Sequence, residues 1–115
     1  MNVEQVKEII AEANAAASAA AAEELAKRDI SDWDACGFGW VNIYSYNGKN
    51  LDGRSKIAKV LKAAGLRQDY TRAFNVWNPG NYHGQSISIK EVAASAYAKV
   101  LTQHGFTAYA GSKLD

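Results

Sequence analysis

The chain has 115 residues, of which 48% are hydrophobic and 22% charged, as expected for one globular domain. One proline and nine glycines exclude a collagen-like chain and a Pro/Gly-rich disordered chain. The single cysteine, Cys36, excludes an internal disulfide, and the two histidines do not complete the ligand set of a structural zinc site. We therefore expect neither a metal nor a cofactor.

The sequence contains no membrane or secretion signal. Residues Met1 to Gln5 lack the basic region and apolar run of a secretory leader. No stretch approaches the roughly 20 apolar residues that span a bilayer, since the alanine run at 15–22 is only weakly apolar. We therefore expect a protein of a cytoplasm-type compartment that does not associate with membranes.

Charge divides the sequence into two parts. Residues 1–32 hold seven acidic and three basic side chains, a net charge of −4. Residues 33–115 hold ten basic and five acidic side chains, a net charge of +5. The asymmetry predicts an acidic leading segment beside a mildly basic body that attracts polyanions weakly. The two parts could equally attract each other, within one chain or between chains.

The leading segment, 1–32, predicts an amphipathic, alanine-rich helix over residues 3–28, followed by a polar hinge at 29–34. Asn2 and Gln5 match a capping box, and no glycine or proline interrupts the helix. A helix of this length measures about 39 Å, more than so small a domain is wide. We therefore predict a homo-oligomer that forms through its apolar face. That face carries Val6, Ile9, Ile10, Ala13, Ala17 and Ala20.

The body, 33–115, predicts a compact α/β or α+β domain with two layers and a small sheet, in the order strand–helix–strand–helix–strand. Strands are predicted at 36–44, 71–77 and 106–110, and helices at 54–64 and 89–103. Asn47-Gly48 and Pro79-Gly80 mark turns, the second of type II. Asp52 or Ser55 caps the first of these helices, and Ser88 to Glu91 matches a capping box for the second. The spacing permits parallel crossovers without fixing the strand order.

Three motifs of the body resemble a group of small uncharacterised bacteriophage and prophage proteins. They are Cys36-Gly37-Phe38-Gly39-Trp40-Val41, Gly84-Gln85-Ser86 with Lys90-Glu91, and Ala108 to Asp115. The group has alanine where this chain has Gly39 and arginine where it has Lys113, and the resemblance covers residues 34–115. It implies a viral or mobile-element setting in the cytoplasm of a bacterial host cell or in the virion. It carries no activity to transfer.

The loop after the second predicted strand is the first candidate binding site. It concentrates polar side chains between a strand end and a helix start, where open parallel sheets bind ligands and helix N–H groups face anions. A loop that satisfies its own backbone would have the same composition. The candidate residues are Trp40, Trp77, Asn78, Asn81, Tyr82, His83, Gln85 and Ser86.

A basic helix is the second candidate. Its cations, with the aromatic residues of the body, suit single-stranded nucleic acid, which needs charge for phosphates and flat rings for bases. A solvated helix face over an aromatic core explains the same pattern. The residues are Arg54, Lys56, Lys59, Lys62 and Arg67.

Enzymatic candidates are weaker. Cys36 with His83 is the Cys–His option for a nucleophile and its base, and a lone cysteine is more often a small buried hydrophobe than a nucleophile. Asp32 and Asp34 suit a solvated hinge better than an acid–base pair. His104 suits a contact with helix-terminal carbonyls.

These patterns predict a non-enzymatic, phage-type accessory protein that binds a small polar or anionic ligand or a host protein. A nucleic-acid-binding protein and a virion structural protein are the alternatives.

Overall fold

A computed structural model describes residues 1–27, 35–51, 55–71 and 73–115. The fold is α+β, with a long N-terminal helix, two further helices and a small five-stranded sheet, which confirms the predicted class. A 3-10 turn at Pro79–Asn81 precedes the last helix. The elements are α1 (Val3–Ala26), β1 (Gly37–Tyr46), β2 (Lys49–Asn50), α2 (Lys56–Ala63), β3 (Arg67–Gln68), β4 (Phe74–Trp77), α3 (Ile87–Gln103) and β5 (Phe106–Leu114).

The central strand of the sheet is β1. It pairs with β5 along one edge and with β4 along the other, and β3 pairs with β4. Every pair in the described part of the chain is antiparallel, so the parallel crossovers that the spacing permitted do not form. One cause of the antiparallel pairing is local. Asn47 and Gly48 adopt φ values of 49° and 78°, which turn the chain straight back from β1 into β2 as a tight hairpin.

Helix α3 covers one face of the sheet, against β1 and β5. Two glycines of β1 allow this close approach. A Cβ on Gly37 would come within 2.7 Å of Ile87 Cδ1, and one on Gly39 within 2.9 Å of the Lys90 carbonyl oxygen. At these two positions β1 therefore carries no side chain on its helix side, while the alternating positions Phe38 and Trp40 place large rings on the opposite face.

Helix α1 packs along α3 and also contacts α2 and the 3-10 turn. Its buried residues share one hydrophobic core with the sheet and α3. The apolar face that the sequence offers for self-association is thus covered within the chain, and homo-oligomerisation stays a prediction. The predicted hinge at 29–34 and the end of the predicted helix at residue 28 lie outside the described residues. The buried residues of α1 are Val6, Ile9, Ala13, Ala17 and Ala21.

Several predicted boundaries differ from the structure, and three of them have a clear cause. Helix α3 begins two residues earlier because Ser86, not Ser88, is its N-cap, and Ser86 Oγ accepts from the backbone N–H of Ile89. Strand β4 begins only at Phe74, since the chain before it is turned by Asp69, whose Oδ1 accepts from the backbone N–H of Thr71. Strand β5 continues past residue 110 to Leu114, because β1 offers it a partner along its whole length.

Candidate functional site

The face of the sheet opposite α3, called here the open face, carries an aromatic patch. Along β1, side chains alternate between the core, where Val41 and Ile43 are buried, and the open face. Contiguous exposed apolar side chains on a small protein mark interaction sites more often than single ones do. The large side chains of the patch and their exposed fractions are Phe38 38%, Tyr44 45%, Trp77 59% and Tyr109 63%, with the half-buried Trp40 between them.

Ring contacts hold the patch together. Trp40 on β1 and Trp77 on β4 are directly opposite partners, with parallel rings whose centroids are 5.8 Å apart. Phe38 lies 5.5 Å from Trp77, and Tyr44 lies 6.0 Å from Tyr109 on β5. Ring pairs at these distances attract one another beyond simple burial. The rings therefore form a fixed surface rather than a set of independent side chains.

Gly111 on β5 makes room for the Trp40 indole. Gly111 is the residue directly opposite Trp40, and a Cβ there would lie 2.5 Å from Trp40 Nε1. Real Cβ atoms essentially never come so close to another heavy atom. The indole consequently lies over the backbone of β5, and the glycine sets its position.

A groove of about 460 Å³ runs over this surface. Near its middle, Asn75 Nδ2 donates to Asn42 Oδ1 at 2.9 Å, forming a polar pair across β4 and β1. At its rim stands Tyr70, whose side chain is 98% exposed. The groove residues are Phe38, Trp40, Asn42, Tyr44, Asp69, Tyr70, Thr71, Asn75, Trp77 and Lys113.

Cations border the groove. Lys113 lines it opposite Phe38, and Arg67 shares the open face because it is the cross-strand partner of Asn75. Lys90 reaches the same end of the sheet, where its Nζ donates to the Gly37 carbonyl at 2.8 Å and lies 5.6 Å from the Phe38 ring centroid. The acidic groove residue, Asp69, accepts from both the backbone N–H and the hydroxyl of Thr71.

The acidic helix α1 is remote from this surface. It packs along α3, on the helix side of the sheet, and none of its residues lines the groove. The outward side chains Glu4, Glu8 and Glu12 are exposed there. These carboxylates thus lie away from the groove, whose neighbouring cations are Lys113 and Arg67.

Of the predicted ligand residues, the structure brings only Trp40 and Trp77 into the groove. The loop 78–86 instead fastens α1 and α3 to the sheet. Asn78 Nδ2 donates to the Tyr82 carbonyl at 3.0 Å, and the Ser18 hydroxyl of α1 donates to the Gly80 carbonyl at 3.0 Å.

The remaining loop residues have similar structural contacts. Tyr82 packs against the core, while Asn81 and His83 are exposed. The Gln85 side-chain oxygen accepts from Cys36 Sγ at 3.1 Å, and Ser86 is buried at the start of α3. Their role in ligand binding stays a prediction.

The predicted basic helix does not join the open face. Exposed Lys56, Lys59 and Lys62 lie on α2, which contacts α1, and none of them lines the groove. Arg54 lies outside the described residues. Of the described residues in this set, Arg67 alone stands on the open face.

The enzymatic candidates are separated from the groove as well. The described contact of Cys36 is with the Gln85 amide rather than with His83, and His104 Nε2 lies 3.0 Å from Glu12 Oε1. Asp32 and Asp34 lie outside the described residues. Over residues 1–27, 35–51, 55–71 and 73–115, no cluster of three His, Cys, Asp or Glu side chains could hold a metal ion. Within the same ranges no helix has the length and apolar character to cross a bilayer.

Sequence reasoning missed most of the groove, although part of its signal was present. In the segment 38–44 the large or polar side chains occupy every second position, with Val41 and Ile43 between them. That alternation indicates a strand with one solvent face, and it selects Phe38, Asn42 and Tyr44 beside Trp40. The contributions of Asn75 and Lys113 depend on strand register.

Comparison with known proteins adds no relative. No protein-family model matches the chain. Neither the curated proteins nor the solved structures include one with significant similarity to it.

Proposed function

We propose that this is a non-enzymatic binding protein whose open face holds single-stranded nucleic acid. The observation that carries the proposal is the fixed aromatic surface formed by Trp40, Trp77 and their neighbours. Flat exposed rings bind the faces of unpaired bases, each stacked base contributing about 1–3 kcal/mol. A duplex hides these base faces, so the surface favours single strands.

Two further features support a polyanion as the partner. Lys113 and Arg67 stand on the open face, where they can neutralise phosphates. The acidic side chains of α1 are on the helix side, so they do not repel phosphates from the open face. A strand on this face therefore meets Lys113 and Arg67 rather than the carboxylates of α1.

A single flat anion, such as a mononucleotide, is the second candidate. The groove volume of about 460 Å³ lies within the usual range of small-molecule sites. It would also fit the small polar or anionic ligand that the sequence predicts. Dependence of affinity on oligonucleotide length separates the two, because only a strand gains contacts as it lengthens along the face.

The test is titration of labelled single-stranded and duplex oligonucleotides, followed by fluorescence anisotropy at two salt concentrations. Trp77→Ala is expected to weaken single-strand binding by about 1–3 kcal/mol, since it removes one stacking ring. The matched control, Lys59→Ala on α2, should bind like the wild type. With Lys113 and Arg67 as the two cations on the open face itself, log affinity should fall with log salt with a slope of about −1.4, and Lys113→Ala should reduce that slope by about half.

The opposite pattern would refute the proposal. The open face is excluded as the binding site if the wild type binds no single strand at low salt. It is also excluded if Lys59→Ala loses binding while Trp77→Ala does not. Binding of mononucleotides as tight as that of oligonucleotides would select the second candidate.

A further inference from the structure

Two asparagines oppose each other in the middle of the open face. Asn42 of β1 and Asn75 of β4 are directly paired across the strands, and both are half-buried. Asparagine is depleted in strands, where β-branched and aromatic residues fit the pleated surface better. Here one asparagine occupies the central strand of the sheet. Folding alone does not account for this choice, and residues that break local preferences concentrate at functional sites.

The pair uses only part of its hydrogen-bonding capacity. Asn75 Nδ2 donates to Asn42 Oδ1 at 2.9 Å. Among the described residues, Asn42 Nδ2 and Asn75 Oδ1 have no further hydrogen-bond partner. These two atoms give the pair one donor group and one acceptor that a ligand can contact. If both amides were turned over together, the pair would still present one donor and one acceptor.

The surroundings of the pair favour a flat ligand. Trp40 and Tyr44 stand two positions to either side of Asn42 on the same strand, and both line the groove. A planar molecule placed over the pair is thus flanked by rings, and its edge faces the amides. Both amides line the groove, and a ligand that contacts them together meets a donor and an acceptor.

We infer that the Asn42–Asn75 pair contacts the hydrogen-bonding edge of one unpaired nucleobase, an inference that rests on the proposed function. Base edges carry donors and acceptors side by side, and asparagine amides bind them through both atoms. Phosphate oxygens are acceptors only and would leave the Asn75 carbonyl without a partner. The amides therefore read bases, while the rings and cations bind any strand.

The test replaces both asparagines with valine. Asn42→Val with Asn75→Val should leave thermal stability equal or higher, because valine favours a strand. Its affinity for a base-bearing single strand should fall about fivefold or more, the loss expected for a two-atom base contact. Its affinity for the same strand with abasic positions, and the salt dependence of binding, should not change. The wild type should also distinguish among homopolymeric strands, and the double variant should distinguish them less.

The outcomes separate this inference from the proposed function. A stable double variant that binds base-bearing strands like the wild type overturns the role of the amides, while loss of binding by Trp77→Ala would still support the open face. If neither variant changes binding, or the wild type does not bind, the proposed function itself fails. Should the double variant fold poorly, Asn75→Thr alone tests the same contact with a residue that also favours strands.

Discussion

Substitution of Gly111 by alanine tests whether the position of the Trp40 ring matters, without removing any ring. A Cβ at Gly111 would lie 2.5 Å from Trp40 Nε1 and 2.6 Å from Cε2, whereas ordinary contacts begin near 3.4 Å. The indole must therefore move by about 1 Å, since atoms this close repel steeply. That movement disturbs the parallel arrangement with Trp77, in which the centroids are 5.8 Å apart.

We expect Gly111→Ala to weaken single-strand binding about tenfold, or about 1.4 kcal/mol, within the range for one stacked base. The free energy of unfolding should change by no more than about 1 kcal/mol, because alanine at a compatible site restricts the unfolded chain and offsets some of the crowding. Anisotropy titration measures the affinity, tryptophan emission reports the displaced indole, and urea unfolding reports stability. Ser112→Ala, the neighbouring exposed position on β5, is the control and should change none of them.

A changed emission spectrum with unchanged affinity would refute the reasoning, because the ring would have moved without consequence for the ligand. Unchanged emission would show that Gly111 does not set the position of the Trp40 ring.

Two further predictions concern the helix side. Gly80→Ala should lower the free energy of unfolding by about 2 kcal/mol or more, because Gly80 has a φ of 79° and an added Cβ would lie 2.9 Å from the Ala17 carbonyl carbon. The control is Gly48→Ala, because Gly48 has a φ of 78° and no atom within 4 Å of an added Cβ. In the same urea titration it should lose only the free energy due to backbone strain. Equal losses in the two variants would contradict a role for the contact with α1. Tyr97→Phe should stabilise the protein by about 1 kcal/mol, since the Tyr97 hydroxyl is buried without a hydrogen-bond partner among the described residues. Burial also raises the pKa of Tyr97 from 10.0 to about 12, so the folded protein holds the phenol proton more tightly than the unfolded chain does. The free energy of unfolding therefore keeps this contribution in full below pH 10 and loses it as pH rises towards 12. Thermal melts at pH 8 and pH 11 should show a smaller alkaline loss for Tyr97→Phe than for the wild type, and equal losses would contradict it.

Local signals in the sequence predicted the helices well. The Asn2–Gln5 capping box is present at the start of α1, with both hydrogen bonds formed at 2.8 Å. Gly65, with a φ of 102°, follows the end of α2, as the sequence predicts for a helix stop. These features depend on residues a few positions apart, and short-range chemistry fixes them.

Strand pairing could not be predicted in the same way. Whether β5 runs antiparallel to β1 depends on contacts between residues sixty or more positions apart, for which one sequence carries no direct signal. The groove follows from that pairing. Lys113 reaches it only because β5 extends beyond Ala110, and Asn75 meets Asn42 only in the observed register. The sequence predicts Trp40 and Trp77 as flanks of a loop, whereas their association comes from strand pairing in the sheet.

The alternation of β1 has a consequence for how the protein can change over time. Val41 and Ile43 point to the core, and substitutions there are limited by packing against α3 and its neighbours. Phe38, Asn42 and Tyr44 point the other way, and their contacts are with side chains of the open face and its border rather than with the core. Mutations on these two sides can thus be selected almost independently, so one scaffold can acquire a new binding preference while it keeps its architecture. Differences between divergent copies of this fold should accumulate first at every second position of its central strand.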